Sequence, residues 1–336
     1  MIYLCTRKRA LQYLAVLSVI WKVRPSRMKS NFMLKCIHVL QDPRILQNLL
    51  MEKYPSLFND EKYLKNRYAK IFGKELNLVH PTTFNEKLNW LKLNDRNPLY
   101  TTLADKYKVK KYVADLIGEE YVVPCYGHWK TLDDIDFSAL PDRCFLKMNH
   151  DSQKGVLIDK SAGIDRQLLR REFSSKRRKR NWYWPSREWA YKNIEPCILA
   201  EQYLEDGKTG DLQDYKFWCF NGKPVYMYVT NKGAVIKENF YDMDFFPVNI
   251  NHGFPRQSPE FEKPTGFELM KQLAAKLSAH IPFVRIDFFE ILGKVYFGEF
   301  TFYDWGGLQP FADEETDRRL GELLDLSSFK NTDGGK

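Results

Sequence analysis

Apolar and polar positions alternate along the chain with two distinct periods. Period-two runs are Cys144–Met148, Ile198–Leu204, Asp214–Phe220, Pro224–Thr230, Val284–Ile291 and Lys294–Phe300, and these predict strands. Tyr121–Tyr126 and Val156–Ile158 read as two shorter strands. Asn221-Gly222 stands between two of the runs and is the strongest hairpin signal in the chain. A helical period covers residues 102–117, with Thr102 and Asp105 arranged as a cap and Gly118 as the stop. A second helix is expected over 266–280. Its apolar stripe is Met270, Leu273, Ala274 and Leu277, and Thr265 with Glu268 forms its capping box. Residues 165–193 are basic, aromatic and helix-like. The sum is an α+β protein with largely antiparallel sheets.

The expected division has four parts. Residues 1–60 form a helical N-terminal extension and residues 61–101 a helical lead-in. One α+β lobe covers 102–204 and a second covers 205–330. Within the extension, Ala10–Trp21 is apolar but shorter than the roughly 20 residues a spanning helix needs. Basic residues between 7 and 29 flank it, so it reads as an interfacial helix on anionic lipid or as an ordinary packing helix. It has no small-residue cleavage site of the kind a signal peptide carries.

Composition sharpens this picture in two ways. The chain has 336 residues, 44% hydrophobic and 15% aromatic, which is enough to bury a substantial core. Its formal net charge of +9 favours an anionic partner. The six cysteines form no CxxC and no zinc-ligand spacing, so they read as reduced thiols in a cytoplasmic protein.

Familiar nucleotide motifs are missing. The sequence contains no GxxxxGK[ST], no GxGxxG after a strand and no GxSxG. The chemistry concentrates instead near the carboxyl end. Arg285 and Asp287 share one face of a predicted strand, and Glu299 lies on its hairpin partner. Two carboxylates and a guanidinium on an apolar strand pair are costly to bury without purpose. They suit Mg²⁺ and a transferring phosphoryl group, and equally a buried structural ion pair. Lys147 and Lys216 also sit in apolar strands, where a lysine either snorkels to solvent or contacts a phosphate. The loop 149–155 contains His150, Asp151, Ser152 and one glycine, and its amides could cover phosphates. The basic run 176–180, followed by Trp182 and Trp184, reads as a solvated helix face or an anion-binding surface. Asp242-Met243-Asp244 is a DxD triplet of the kind glycosyltransferases use, and also an ordinary polar turn.

The order of motifs resembles the TupA-like ATP-grasp family of teichuronopeptide biosynthesis, whose members often carry a glycosyltransferase label. The resemblance runs over about residues 60–326, through ADKYKVKKYV at 104, VVPCYGHW at 122, FLKMNHDS at 145, WAYKNIEPCILAEQYL at 189, DYKFWCFNGKP at 214, VRIDFF at 284 and YFGEFTFYDWGGLQPF at 296. It implies an ATP-grasp fold, ATP and Mg²⁺ as cofactors, and joining of a carboxylate to an amine through an acyl phosphate in cell-surface polysaccharide synthesis. A nucleotide-sugar glycosyltransferase is the alternative. The resemblance places Lys106 and Lys147 on the phosphates, with Lys216 as a further phosphate contact. It puts Glu201, Tyr203 and Leu204 beside adenine, and Asp214 on the ribose. His150, Asp151 and Ser152 fall in the flap, Asp287 and Glu299 on magnesium, and Arg285 at the transition state. Thr301 stands where many relatives have an asparagine ligand, and Asp304-Trp305-Gly306-Gly307 replaces their usual loop. The implied substrate is an anionic sugar or polymer precursor, handled at the inner face of the membrane. No nucleic acid is expected.

Overall fold

A computed structural model of the protein describes residues 54–151, 155–175, 183–205, 213–230 and 235–329. The expected interfacial segment at 7–29, the basic run 176–180, Trp182 and Ser152 lie outside the described residues. The chain divides into two compact units, residues 1–70 and 71–336. Helix α1 is Asp60–Phe72. No described helix is long and apolar enough to cross a membrane.

The second unit holds two antiparallel sheets. Strands β1 (Cys125–Trp129), β2 (Arg143–Met148), β3 (Val156–Asp159) and β4 (Ile198–Gln202) form the first, in the order β1-β4-β2-β3. Strands β5 (Asp214–Phe220), β6 (Lys223–Thr230), β7 (Glu238–Tyr241), β8 (Pro247–Val248), β9 (Phe283–Ile291) and β10 (Lys294–Thr301) form the second, in the order β10-β9-β5-β6-β7-β8. A parallel bridge, Val122 to Phe297, links the approach to β1 with β10.

Helices cover these sheets: α2 (Phe84–Asn94), α3 (Leu99–Ala104), α4 (Val109–Ile117), α5 (Arg166–Glu172), α6 (Tyr183–Ser186), α7 (Phe267–Leu277) and α8 (Glu314–Leu323). The expected stripe of α7 is buried, with Met270, Leu273, Ala274 and Leu277 all within the main core. That core is rich in aromatic rings. Trp218 is fully buried and packs against Phe84, Phe220, Tyr228, Phe240 and Phe283. A separate core under the four-stranded sheet is mostly aliphatic, with Leu146, Met148, Ile158, Ile198 and Ala200 meeting Leu169 of α5.

The Asn221-Gly222 hairpin forms as expected. Both residues have positive φ, 49° and 78°, which matches the right-handed twist of β5 and β6. Three local expectations differ. The strand expected at Tyr121–Tyr126 begins only at Cys125, because Glu119–Tyr121 form a short 3₁₀ turn. The helix expected from Thr102 is broken into α3 and α4, because the Asp105 carboxylate accepts the amides of Tyr107 at 2.9 Å and Lys108 at 3.2 Å. Such local bonds compete with helical ones. The Thr265–Glu268 capping box is absent as well. Glu290 of β9 reaches the start of α7 instead, accepting from the Thr265 hydroxyl and from the Gly266 amide at 2.8 Å. Glu268 is left to pair with Lys263.

Candidate active site

Alternation along β9 sends Val284, Ile286 and Phe288 into the core and leaves Arg285 and Asp287 on the opposite face. Strand β10 brings Glu299 directly opposite Asp287. A bulge at Gly298 makes this possible, since an unbroken register would have placed Gly298 there. A Cβ on Gly298 would lie 3.0 Å from the Asp287 carbonyl oxygen, so glycine permits the close approach.

Arg285 organises the acidic groups. Its Nε and Nη2 donate to the two oxygens of Asp287, both at 2.7 Å. Nη2 also reaches Glu299 at 3.3 Å, and Nη1 donates to Asp304 at 2.6 Å. The Tyr228 hydroxyl donates to Asp304 at 3.1 Å and accepts from Arg285 at 3.2 Å. The Thr301 hydroxyl donates to Glu299 at 3.4 Å. Behind Asp304 lies the buried His252, whose Nε2 is 3.7 Å from its second oxygen and whose Nδ1 is 3.0 Å from buried Glu238. Lys216 of β5 faces Asp287 across the sheet, with Nζ 3.2 Å from Asp214 and 4.0 Å from Asp287.

The four-stranded sheet carries the opposite arrangement. Glu201 of β4 is buried and receives Lys147 of β2 together with Lys110 of α4, the latter at 2.6 Å. Lys106 sits in the break between α3 and α4. Its amide is fixed on the Asn149 carbonyl at 3.0 Å, and its ammonium pairs with Glu299. Lys106 therefore ties the lysine group of one sheet to the acidic group of the other.

Burial and charge set the protonation of these groups. Burial raises a carboxylate, but Lys106 and then Arg285 bring Glu299 down to about 2. Asp287 is deeper, and burial lifts it above the ordinary carboxylate value despite Arg285 and Lys216. Burial opposes the charge on Arg285, yet Asp287, Tyr228 and Asp304 hold it well above its usual value. Lys147 is lowered, first by burial and then by Lys106 and Lys110, against the pull of Glu201. Lys106 is raised, because Glu299, Glu201 and Asp287 outweigh the effect of burial.

The structure thus brings together Lys106, Lys216, Asp214, Arg285, Asp287, Glu299 and Thr301, with Lys147 and Glu201 adjoining through Lys106. His150 and Asp151 are buried in the loop after β2, with His150 Nδ1 3.2 Å from the Asn149 side chain. Tyr203 lies under the Arg143 guanidinium, 4.6 Å from ring centre to carbon, and Leu204 follows it. Among the described residues, neither is hydrogen-bonded or ion-paired to the Arg285 group. Sequence reasoning missed Lys110, Glu188, Tyr191, Tyr228, Glu238 and His252. Lys110 and Tyr191 lie inside the motifs at 104 and 189 and Glu188 just before the latter, with nothing in the spacing to single them out, while Tyr228, Glu238 and His252 come from segments remote from Arg285 in the chain. The DxD triplet is a turn, in which Asp242 accepts the amides of Asp244 at 2.9 Å and Phe246 at 2.8 Å.

The paired sheets and the Arg285 group define an ATP-grasp protein. A family model described as TupA-like ATPgrasp matches residues 86–325, and the chain belongs to that family. No curated protein matches. Among solved structures, the chain is similar to D-alanine–D-alanine ligase from Bacillus anthracis complexed with ATP, at 12% identity over 68% of this chain and 67% of that one, with a TM-score of 0.40. It is similar to the same enzyme from Helicobacter pylori, at 15% identity over 72% and 69%, with a TM-score of 0.39. It is also similar to the ATP-grasp ligase PsnB complexed with a phosphomimetic variant of its minimal precursor, Mg and ADP, at 9% identity over 71% and 65%, with a TM-score of 0.37. At these identities the assignment rests on the family match.

Proposed function

We propose that this protein is an ATP-dependent ligase that joins a carboxylate to an amine through an acyl phosphate, in the building of a cell-surface polysaccharide. The observation that carries the reading is the Asp287–Glu299 pair, set in register by a bulge and gripped by one arginine, facing Lys106. The bound relatives named above contain ATP, or Mg and ADP, and support the choice of nucleotide and metal.

The residues fit magnesium. Asp287 and Glu299 offer hard carboxylate oxygens, with Thr301 beside them. Among the described residues no group of three or more His, Cys, Asp or Glu suits a metal, so phosphate oxygens and water must complete the shell. Mg²⁺ commonly binds through one or two carboxylates plus substrate phosphates. When bound there, it would neutralise phosphate charge.

The remaining roles belong to the protein's own groups. Lys106 and Lys147 exchange their glutamate partners for phosphate oxygens, and Lys216 adds a third cation. Asp214 accepts from the ribose, while Glu201, Tyr203 and Leu204 border the base as the chain passes between lobes 102–204 and 205–330. His150, Asp151 and Ser152 belong to the covering flap. Arg285 is held by Asp287, Glu299, Asp304 and the Tyr228 hydroxyl, so its charge is fixed in place for the charge that develops as the substrate carboxylate attacks the γ-phosphate. The oxygen–phosphorus bond forms and ADP leaves. The amine then displaces phosphate. Holding the reactants in line supplies much of the rate. The net charge of +9 suits an anionic sugar or polymer precursor, taken up at the inner face of the membrane with contact through residues 7–29.

Thermal-shift titration with Mg-ATP, set against UDP-, GDP- and CDP-sugars, tests the reading. Stabilisation by Mg-ATP that Glu299→Gln removes is expected. A shift confined to a nucleotide-sugar, and removed by Asp244→Asn, would establish sugar transfer instead.

A further inference from the structure

The turn that follows β10 has an unusual backbone. Trp305, Gly306 and Gly307 all have positive φ, at 48°, 63° and 58°. For a bulky residue such as Trp305 this is an outlier, and such outliers cluster where a side chain must be aimed. Several contacts enforce the turn. Lys92 donates to the Gly306 carbonyl at 2.5 Å, Asn89 donates to the Gly307 carbonyl at 2.6 Å, and Asp304 is fixed on Arg285. The result leaves Trp305 42% exposed, backed by the Phe254 ring at 5.4 Å.

A second segment meets this turn. Glu188 Oε1 would lie 3.5 Å from a Cβ added at Gly306. Burial raises its carboxylate above the ordinary value, while Lys92, a hydrogen bond from the Ser186 hydroxyl and Arg285 favour its charge. Three residues on, the Tyr191 hydroxyl lies in the field of Glu188, Glu299, Arg285 and Asp287. Glu188 and Tyr191 therefore border the Arg285 group, and the partly exposed Trp305 stands in the same turn as Gly306, beside Glu188.

We propose that Glu188, Tyr191 and Trp305 form the subsite for the amine substrate, which enters as a primary ammonium against Glu188 with its apolar body on Trp305. The inference rests on the ligase reading and assigns the side from which the amine arrives. A carboxylate with an adjacent aromatic face recognises a cation through charge-assisted hydrogen bonding and cation–π attraction.

Ligand-observed NMR on the full chain at neutral pH compares benzylamine, an ammonium there, with uncharged benzyl alcohol. Benzylamine is expected to bind about tenfold more tightly. Glu188→Gln, which keeps shape and removes charge, abolishes the difference. Trp305→Ala weakens both probes, and thermal melting confirms that each variant folds. Equal binding of the two probes by the wild type, or a preference that survives Glu188→Gln, would overturn the subsite. Mg-ATP stabilisation, measured on the same samples, separates the two ideas. If that stabilisation is absent while the benzylamine preference persists, the ammonium site stands and the ligase reading falls.

Discussion

The two sheets carry the same kind of buried ionic centre with opposite sign and different chemistry. In the four-stranded sheet one carboxylate, Glu201, is shared by Lys147 and Lys110. In the six-stranded sheet one guanidinium, Arg285, is shared by Asp287, Glu299 and Asp304. The lysine centre can adjust. Burial already pulls Lys147 below its ordinary value, and an ammonium can release a proton when it loses its partner. The arginine centre cannot adjust, since Arg285 is held well above an already high value. One sheet thus offers movable positive charge for a ligand, and the other a rigid acidic frame. Lys106, paired with Glu299, spans the difference.

The comparison breaks most visibly at the arginine. Arg285→Met takes the guanidinium from Asp304 and leaves Asp287 and Glu299 with only Lys216 and Lys106, and should cost about 3–5 kcal/mol in denaturant unfolding. Glu201→Gln should cost less, about 1–3 kcal/mol, because Lys147 can shed its charge. Equal losses would show that the lysine centre is as rigid as the other. Gly298→Ala presses a methyl group on the Asp287 carbonyl and should cost about 1–2 kcal/mol while shifting Glu299 out of register. Its nucleotide binding should fall further than its stability does. The smallest effect concerns pH. Glu299 lies at about 2 in the folded protein against an ordinary 4.5, so its contribution is full above 4.5 and is lost as pH falls toward 2. Lys106→Met removes the largest favourable cause of that lowering. Stability measured against pH should then fall less steeply over this acid range than in the wild type.

Legibility from sequence followed the range of the interaction. The Arg285, Asp287 and Glu299 group was readable because two strands of period two and a short turn place it within 15 residues. The Asn221-Gly222 hairpin was readable for the same reason. The helix break at Asp105 was not, because its carboxylate can cap in either direction and the docking of Lys106 on Asn149 decides which. Nor was the capping of α7, where Glu290 from a strand displaces the local Glu268. Asp304 was noted only as part of a replaced loop. It joins Arg285 and also Tyr228, which lies 76 residues away in the chain. The bulge at Gly298 leaves no local signature beyond one glycine in a strand.

Electron paramagnetic resonance of Mn²⁺, used in place of Mg²⁺, tests the central claim most directly. Wild type should bind Mn²⁺ with ATP as a ternary complex, and Asp287→Asn and Glu299→Gln should each weaken it by about a hundredfold or more. Asp244→Asn should leave it unchanged. A ternary complex indifferent to both carboxylate substitutions would contradict the site proposed here.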